Sequence, residues 1–133
     1  ARLGAEHVMV VHSADGLDEI SAAAATHVVE ARAGVIEEFE LVPRDVGLDA
    51  VSLDGLDVAS ARESLDLIRD ALSGAPGDRA SRARSMVALN AGAALYVAGL
   101  QGSIADGVAE AMRLLQSGAP WARVEALADL KLN

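Results

Sequence analysis

The spacing of apolar residues changes at about Val58. Before it they come in short runs or alternate with polar ones; after it they recur every three or four positions. A period of two marks strands and a period near 3.6 marks helices, so strands are predicted first and helices afterwards. Val8-Met9-Val10-Val11 lacks polar alternation, which predicts a strand over His7 to Val11 buried on both faces. Ile20 to Ala25 is small and apolar and reads as extended chain packed on neighbouring backbone. Val28 to Arg32 and Val35 to Leu41 flank Ala33-Gly34, a hairpin spacing. Glu37, Phe39 and Leu41 share one of its faces and Glu38 and Glu40 the other, so one side should be wet. Pro43-Arg44-Asp45 predicts a single helical turn ended at Gly47.

In the second half Val58, Ala61, Leu65, Ile68 and Leu72 form a stripe, with Arg62, Asp66, Arg69 and Asp70 opposite. That is an amphipathic helix, with Ser60 and Glu63 as a capping box and Gly74 and Pro76 as its stop. Asp78 is the expected N-cap of a second helix reaching about Ala98. From Met86 to Leu100 this helix is apolar all round, broken only by Asn90. It should be central and buried, with the Ala88–Gly92 and Ala91–Ala94 edges admitting close neighbours. A third helix starts at Ser103, with Asp106 in the capping position, buries Ile104, Val108, Ala111, Met112 and Leu115, and closes at Gly118. Pro120 opens a last helix that buries Trp121, Val124, Leu127 and Ala128. The predicted fold class is α/β, short strands and a hairpin followed by about four helices. Such segregation fits part of a larger α/β domain, with residues 1–133 as one segment of it. The opening Ala1-Arg2-Leu3-Gly4 supports this, because it reads as the tail of a helix closed by glycine.

Composition narrows the function. There are 20 acids against 11 bases, a net charge of −9, and no basic patch. Phosphate-led binding of nucleic acid or an anionic membrane face is therefore not expected. No apolar run reaches the length of a membrane span. The chain has no cysteine, so disulfides and thiolate chemistry are excluded and a cytoplasmic protein fits.

The densest ionisable chemistry follows the first strand, in His12-Ser13-Ala14-Asp15-Gly16-Leu17-Asp18-Glu19-Ile20. Loops leaving buried strands are common sites of chemistry in α/β proteins. Asp18 and Glu19 offer two adjacent carboxylates on different headings, and magnesium is usually held by one or two carboxylates plus substrate phosphates. Asp15, before Gly16, reads as a turn-maker bonding its own backbone. The alternating oxygen ligands of an EF-hand are missing. Acid pairs in such loops are also often merely solvated, so the residues alone leave both readings open.

Three stretches carry a resemblance. They are Val8-Met9-Val10-Val11-His12, Asp15-Gly16-Leu17-Asp18-Glu19-Ile20-Ser21 and the run from Ala88 to Leu100. They closely resemble the anthranilate phosphoribosyltransferase family. The hairpin, the Pro43 to Leu48 piece, the Ser103 to Gly118 helix and the final helix match it in order and spacing, and the Asp-Gly-Leu-Asp-Glu run is the most specific element.

The resemblance implies the C-terminal part of a nucleoside phosphorylase/phosphoribosyltransferase-type catalytic domain. It implies transfer of a phosphoribosyl group from phosphoribosyl pyrophosphate to anthranilate in tryptophan biosynthesis, with magnesium as cofactor and Asp18 and Glu19 as its ligands. The family's Gly-Thr-Gly-Gly-Asp phosphate loop and Lys-His-Gly-Asn segment do not occur in this sequence. The helical N-terminal domain, which completes the anthranilate site and a homodimer contact, would also lie outside it. This segment is therefore expected to be inactive alone. His12-Ser13 stands where many members have His-Gly, and Ala25-Thr26 where Pro-Thr is frequent; neither change touches the carboxylates.

Two other functions compete: a pyrimidine nucleoside phosphorylase of the same fold, whose chemistry needs no magnesium, and a non-catalytic acidic interaction module. His7, His12 and His27 receive no role and nothing is expected to pair with His7 or His27. Asn90 must be hydrogen-bonded if buried, with a neighbouring loop as the favoured partner. Ser13 and Ser21 lack the arrangement of a nucleophile. Trp121 should anchor the last helix, and Arg79, Arg82 and Arg84 read as a solvated helix start.

Overall fold

A computed structural model describes residues 4–130. In chain order they form strands β1 (His7–Ser13), β2 (Thr26–Arg32) and β3 (Val35–Leu41), a 3-10 turn (Pro43–Val46), and helices α1 (Ala61–Leu72), α2 (Asp78–Val97), α3 (Ile104–Ser117) and α4 (Ala119–Ala128). The change of period at Val58 thus separates a strand half from a helical half. The helix tail expected at Ala1–Leu3 lies outside the described residues.

The strands pair antiparallel in the order β1-β2-β3, with Val10 opposite Val29 and Val28 opposite Phe39. The β2–β3 connection is the predicted two-residue turn, Ala33-Gly34, with φ of +50° and +83°. Positive φ at both central residues gives the turn the twist that antiparallel strands need.

This register gives the sheet two unlike faces. On the inner one Ser13, Thr26, Val28, Glu30 and Leu41 are buried, and Met9, Val11 and Phe39 pack partly against the core. On the outer one Val8 and Val10 are exposed, Val10 by 63%. Burial along β1 therefore alternates, and the expectation of a strand buried on both faces does not hold among the described residues. Core residues of α2 and α3 meet the inner face only, so nothing described covers the outer valines.

Helices α2 and α3 supply most of the rest of the core, with Ala88, Leu89 and Ala93 against Val108, Ala111 and Leu115. They cross at two glycines. A Cβ on Gly92 would overlap the Val108 backbone, and one on Gly107 would overlap the Gly92 carbonyl. The predicted Ala88–Gly92 edge is this contact line. The Ala91–Ala94 edge instead borders an open apolar groove of about 360 Å³, with Ala94 exposed.

The caps follow the sequence closely, with small corrections. Ser60 accepts the Glu63 N–H at 3.2 Å, but Glu63 accepts from Ala59, one residue before the box's usual donor. Gly77, not Asp78, caps α2, and Asp78 is its first residue. Ser103 caps α3 by accepting the Asp106 N–H at 3.1 Å.

The outer helices depart further from expectation. Val58, Leu65 and Ile68 of the expected α1 stripe are exposed, and Ala71 is the buried residue of that helix. Helix α1 turns a smaller edge to α2, and Arg84 of α2 holds its end through the carbonyls of Ala71 (3.4 Å) and Ala75 (2.5 Å). Helix α4 buries no residue fully: Trp121 and Val124 are half-buried, while Leu127 and Ala128 are exposed. Arg69 lies over the Trp121 ring, 5.4 Å from its centre, tying α4 to α1.

Candidate metal centre

The loop after β1 is held at several points, and the acids hang between them. The Ser13 N–H donates to the Leu17 carbonyl at 3.0 Å and Gly16 donates back to Ser13 at 2.9 Å. Ala14 donates to the Ala25 carbonyl at 2.8 Å, closing the base of the loop. Gly16 takes φ of +90°, which suits it to the bend. Beyond the acids, Ile20, Ser21 and Ala22 are buried.

Asp15 is a turn-maker through side chains more than through its own backbone. The buried Ser21 hydroxyl donates to its Oδ2 at 2.6 Å. Hydrogen bonds from Ser13 and Ser21 hold the Asp15 carboxyl below the usual carboxylate range, with backbone N–H groups assisting. These donors stabilise the charged form, so Asp15 carries a committed charge within the loop. Ser21 also accepts the Ala23 N–H at 3.0 Å and its own N–H donates to Thr26 Oγ1 at 3.2 Å.

Asp18 and Glu19 are exposed, between the bonded Leu17 carbonyl and the buried Ile20. Among the described residues no arginine or histidine bridges either carboxylate. Nor does a third His, Asp or Glu join them in a cluster. Two hard oxygen donors side by side, unbridged among the described residues, suit magnesium, which fills its remaining positions with water and phosphate oxygens. Beside Glu19 opens a cleft of about 770 Å³ between this loop, α1 and α2, lined by Leu17, Ile68, Met86 and Asn90 among others, with Asp54 and Asp57 also on its wall.

Asn90 comes from α2 to the loop as expected: its Oδ1 accepts the Ile20 N–H and its Nδ2 donates to the Ile20 carbonyl, both at 2.9 Å.

His12, given no role, is exposed and joins no ion pair among the described residues. The other two histidines need correction. His7, expected to have no partner, lies 2.6 Å from Glu30 Oε1, and the Tyr96 hydroxyl donates to the same oxygen at 2.8 Å. His27 stands 4.0 Å from Glu38. Glu30 is in phase with Val28 on β2 and only 7% exposed, so strand alternation marks it as an inward acid needing a partner. Arg79 and Arg84 are not a solvated start either. Arg79 binds the carbonyls of Gly55 and Asp57 and pairs with Glu63 at 3.3 Å.

Comparison with known proteins extends this picture. The sequence profile of the glycosyl transferase family, a/b domain, matches residues 1–121. The anthranilate phosphoribosyltransferase of Saccharophagus degradans is 51% identical over 128 residues, 96% of this chain and 38% of the relative. That of Cellvibrio japonicus is 50% identical over 127 residues, again 96% of this chain and 37% of the relative. The crystal structure of the Thermus thermophilus enzyme superposes with a TM-score of 0.80 at 34% identity, over 94% of this chain and 35% of that one. A Saccharomyces cerevisiae anthranilate phosphoribosyltransferase, solved with phosphoribosyl pyrophosphate and magnesium, shares the fold, with a TM-score of 0.74 at 22% identity over 91% of this chain and 34% of that one. The chain thus spans a little over a third of the length of these relatives.

Proposed function

The chain belongs to the glycosyl transferase family, a/b domain, and from that premise we propose that it serves an anthranilate phosphoribosyltransferase. The reaction is transfer of a phosphoribosyl group from phosphoribosyl pyrophosphate to anthranilate, with release of pyrophosphate, in tryptophan biosynthesis. The observation that carries this reading is identity of about one residue in two, sustained along nearly the whole chain, to proteins of that name. Those names favour it over a pyrimidine nucleoside phosphorylase of the same fold.

Within that enzyme the segment is the C-terminal part of the α/β domain, and its task is to present Asp18 and Glu19 to magnesium. Their exposure, their lack of a bridging cation among the described residues and the clamped loop beneath them support this role. Bound magnesium supplies Lewis-acid stabilisation of the negative charge that gathers on departing pyrophosphate. Asp15, already committed to Ser13 and Ser21, keeps the loop folded rather than binding the ion. The phosphate loop, the rest of the anthranilate site and the homodimer contact come from a part of the enzyme outside these 133 residues. The enzyme works in the cytoplasm.

Titration of the isotope-labelled chain with magnesium and phosphoribosyl pyrophosphate, followed by NMR, tests the metal role. Amide shifts confined to residues 15–19, and lost in Asp18→Ala and Glu19→Ala, are the expected result. An unshifted parent spectrum would remove the basis for metal binding by this chain. The pure chain is further expected to show no turnover, and measurable phosphoribosylation of anthranilate by it alone would refute the division of the site.

A further inference from the structure

We propose that Asn90 is the positioning residue of the Asp18–Glu19 pair, acting through the backbone of Ile20. This rests on the magnesium reading above and adds to it the group that sets the headings of the two carboxylates.

The side-chain amide of Asn90 is spent on backbone. Its Oδ1 accepts the Ile20 N–H at 2.9 Å, while Nδ2 donates to the carbonyls of Ile20 at 2.9 Å and Met86 at 3.0 Å. An asparagine has two N–H donors, and both are used, so no donor remains for a ligand. The two bonds to Ile20 grip the residue from both sides, as a neighbouring strand would.

That grip falls where it matters for the acids. The Ile20 N–H belongs to the same planar peptide unit as the Glu19 carbonyl, so fixing it restricts Glu19 directly. On the other side the Leu17 carbonyl is held by the Ser13 N–H at 3.0 Å. Asp18 and Glu19 are therefore a two-residue span between two anchored peptides. The Asn90 anchor is mounted on α2, whose Ala88 and Leu89 are fully buried. It is the polar interruption of that helix's apolar stretch, and removing its amide orphans the Ile20 peptide groups.

The test uses Mn2+ as a paramagnetic probe of the metal site, with amide exchange as a second readout, on the 133-residue chain. In the parent, NMR broadening should centre on residues 18 and 19 and vanish in the Asp18→Asn/Glu19→Gln double variant. In Asn90→Ala, at a temperature where it is fully folded, Mn2+ affinity should fall about 10- to 100-fold, the usual effect of losing a group that orients a ligand. The Ile20 amide should also lose its protection from exchange. Asn90→Leu, which keeps the helix apolar and near its original volume, should behave the same and replaces Asn90→Ala if that variant does not fold.

Fast exchange at Ile20 with unchanged Mn2+ affinity would make Asn90 purely structural and overturn the proposal. No broadening in the parent, or broadening that survives in the Asp18→Asn/Glu19→Gln variant, would instead sink the magnesium reading, and this proposal with it.

Discussion

Tyr96 is the only tyrosine in the chain, so its ionisation reports on a single place. Its hydroxyl donates to the buried Glu30 carboxylate at 2.8 Å, beside His7, and Arg32 approaches the same hydroxyl at 3.3 Å. The hydrogen bond to Glu30 and then burial raise the Tyr96 pKa above the usual phenol value near 10, while Arg32 opposes them. A raised folded pKa favours the neutral phenol. Its stabilisation is therefore fully present below about pH 10 and is lost as pH climbs through the folded midpoint. Replacing Glu30 with Gln should lower that midpoint part of the way towards 10, as followed by tyrosinate absorbance; an unmoved midpoint would contradict the assigned cause. Strand phase makes Glu30 legible as an inward acid. Its partner on α2 is 66 residues away, and no local pattern can point that far.

Among elements, the β2–β3 hairpin carries a local cost in a favourable overall design. Among the described residues Ala33 is the non-glycine residue at positive φ, +50°, where a Cβ crowds the following carbonyl by roughly 1–2 kcal/mol. Asparagine tolerates this region and forms the preferred turn with a following glycine. Ala33→Asn is accordingly expected to raise stability by about 1 kcal/mol, seen as a higher denaturant midpoint with unchanged slope. A lower midpoint would mean that Ala33 makes a contact worth more than the strain. Helix α1 shows the limit of reasoning at this scale. Its period of 3.6 correctly gives a helix with a cap at Ser60, yet Leu65 and Ile68 lie exposed. Periodicity states which residues share a face, not which face meets a neighbour.

At the scale of the molecule, the α2–α3 crossing joins the helical layer that backs the sheet. Its closeness depends on Gly92 and Gly107, where an added Cβ would meet backbone rather than a movable side chain. Overpacking usually costs about 1–3 kcal/mol, and with backbone on the receiving side Gly92→Ala should fall at or beyond the upper end. Thermal unfolding should then show a midpoint lower by several degrees; a parental midpoint would mean that the helices separate without penalty. The crossing also bears on the candidate site, since α2 carries both Gly92 and the Asn90 that grips Ile20. No helix among the described residues is long and apolar enough to cross a membrane.

The sequence by itself determined what depends on near neighbours. Alternation and the Ala33-Gly34 pair set the hairpin, serine and glycine set the helix ends, and the Asp-Gly-Leu-Asp-Glu run marked the loop and its two candidate ligands. The all-apolar stretch around Asn90 also announced a side chain that needed a polar partner. Tertiary structure decided what depends on distant surfaces meeting. It chose Ile20 as Asn90's partner, joined His7, Glu30 and Tyr96, and gave Asp15's charge to Ser21 rather than to its own turn alone. It also left one face of β1 uncovered among the described residues, because an apolar run specifies a strand but carries no record of what packs on each side.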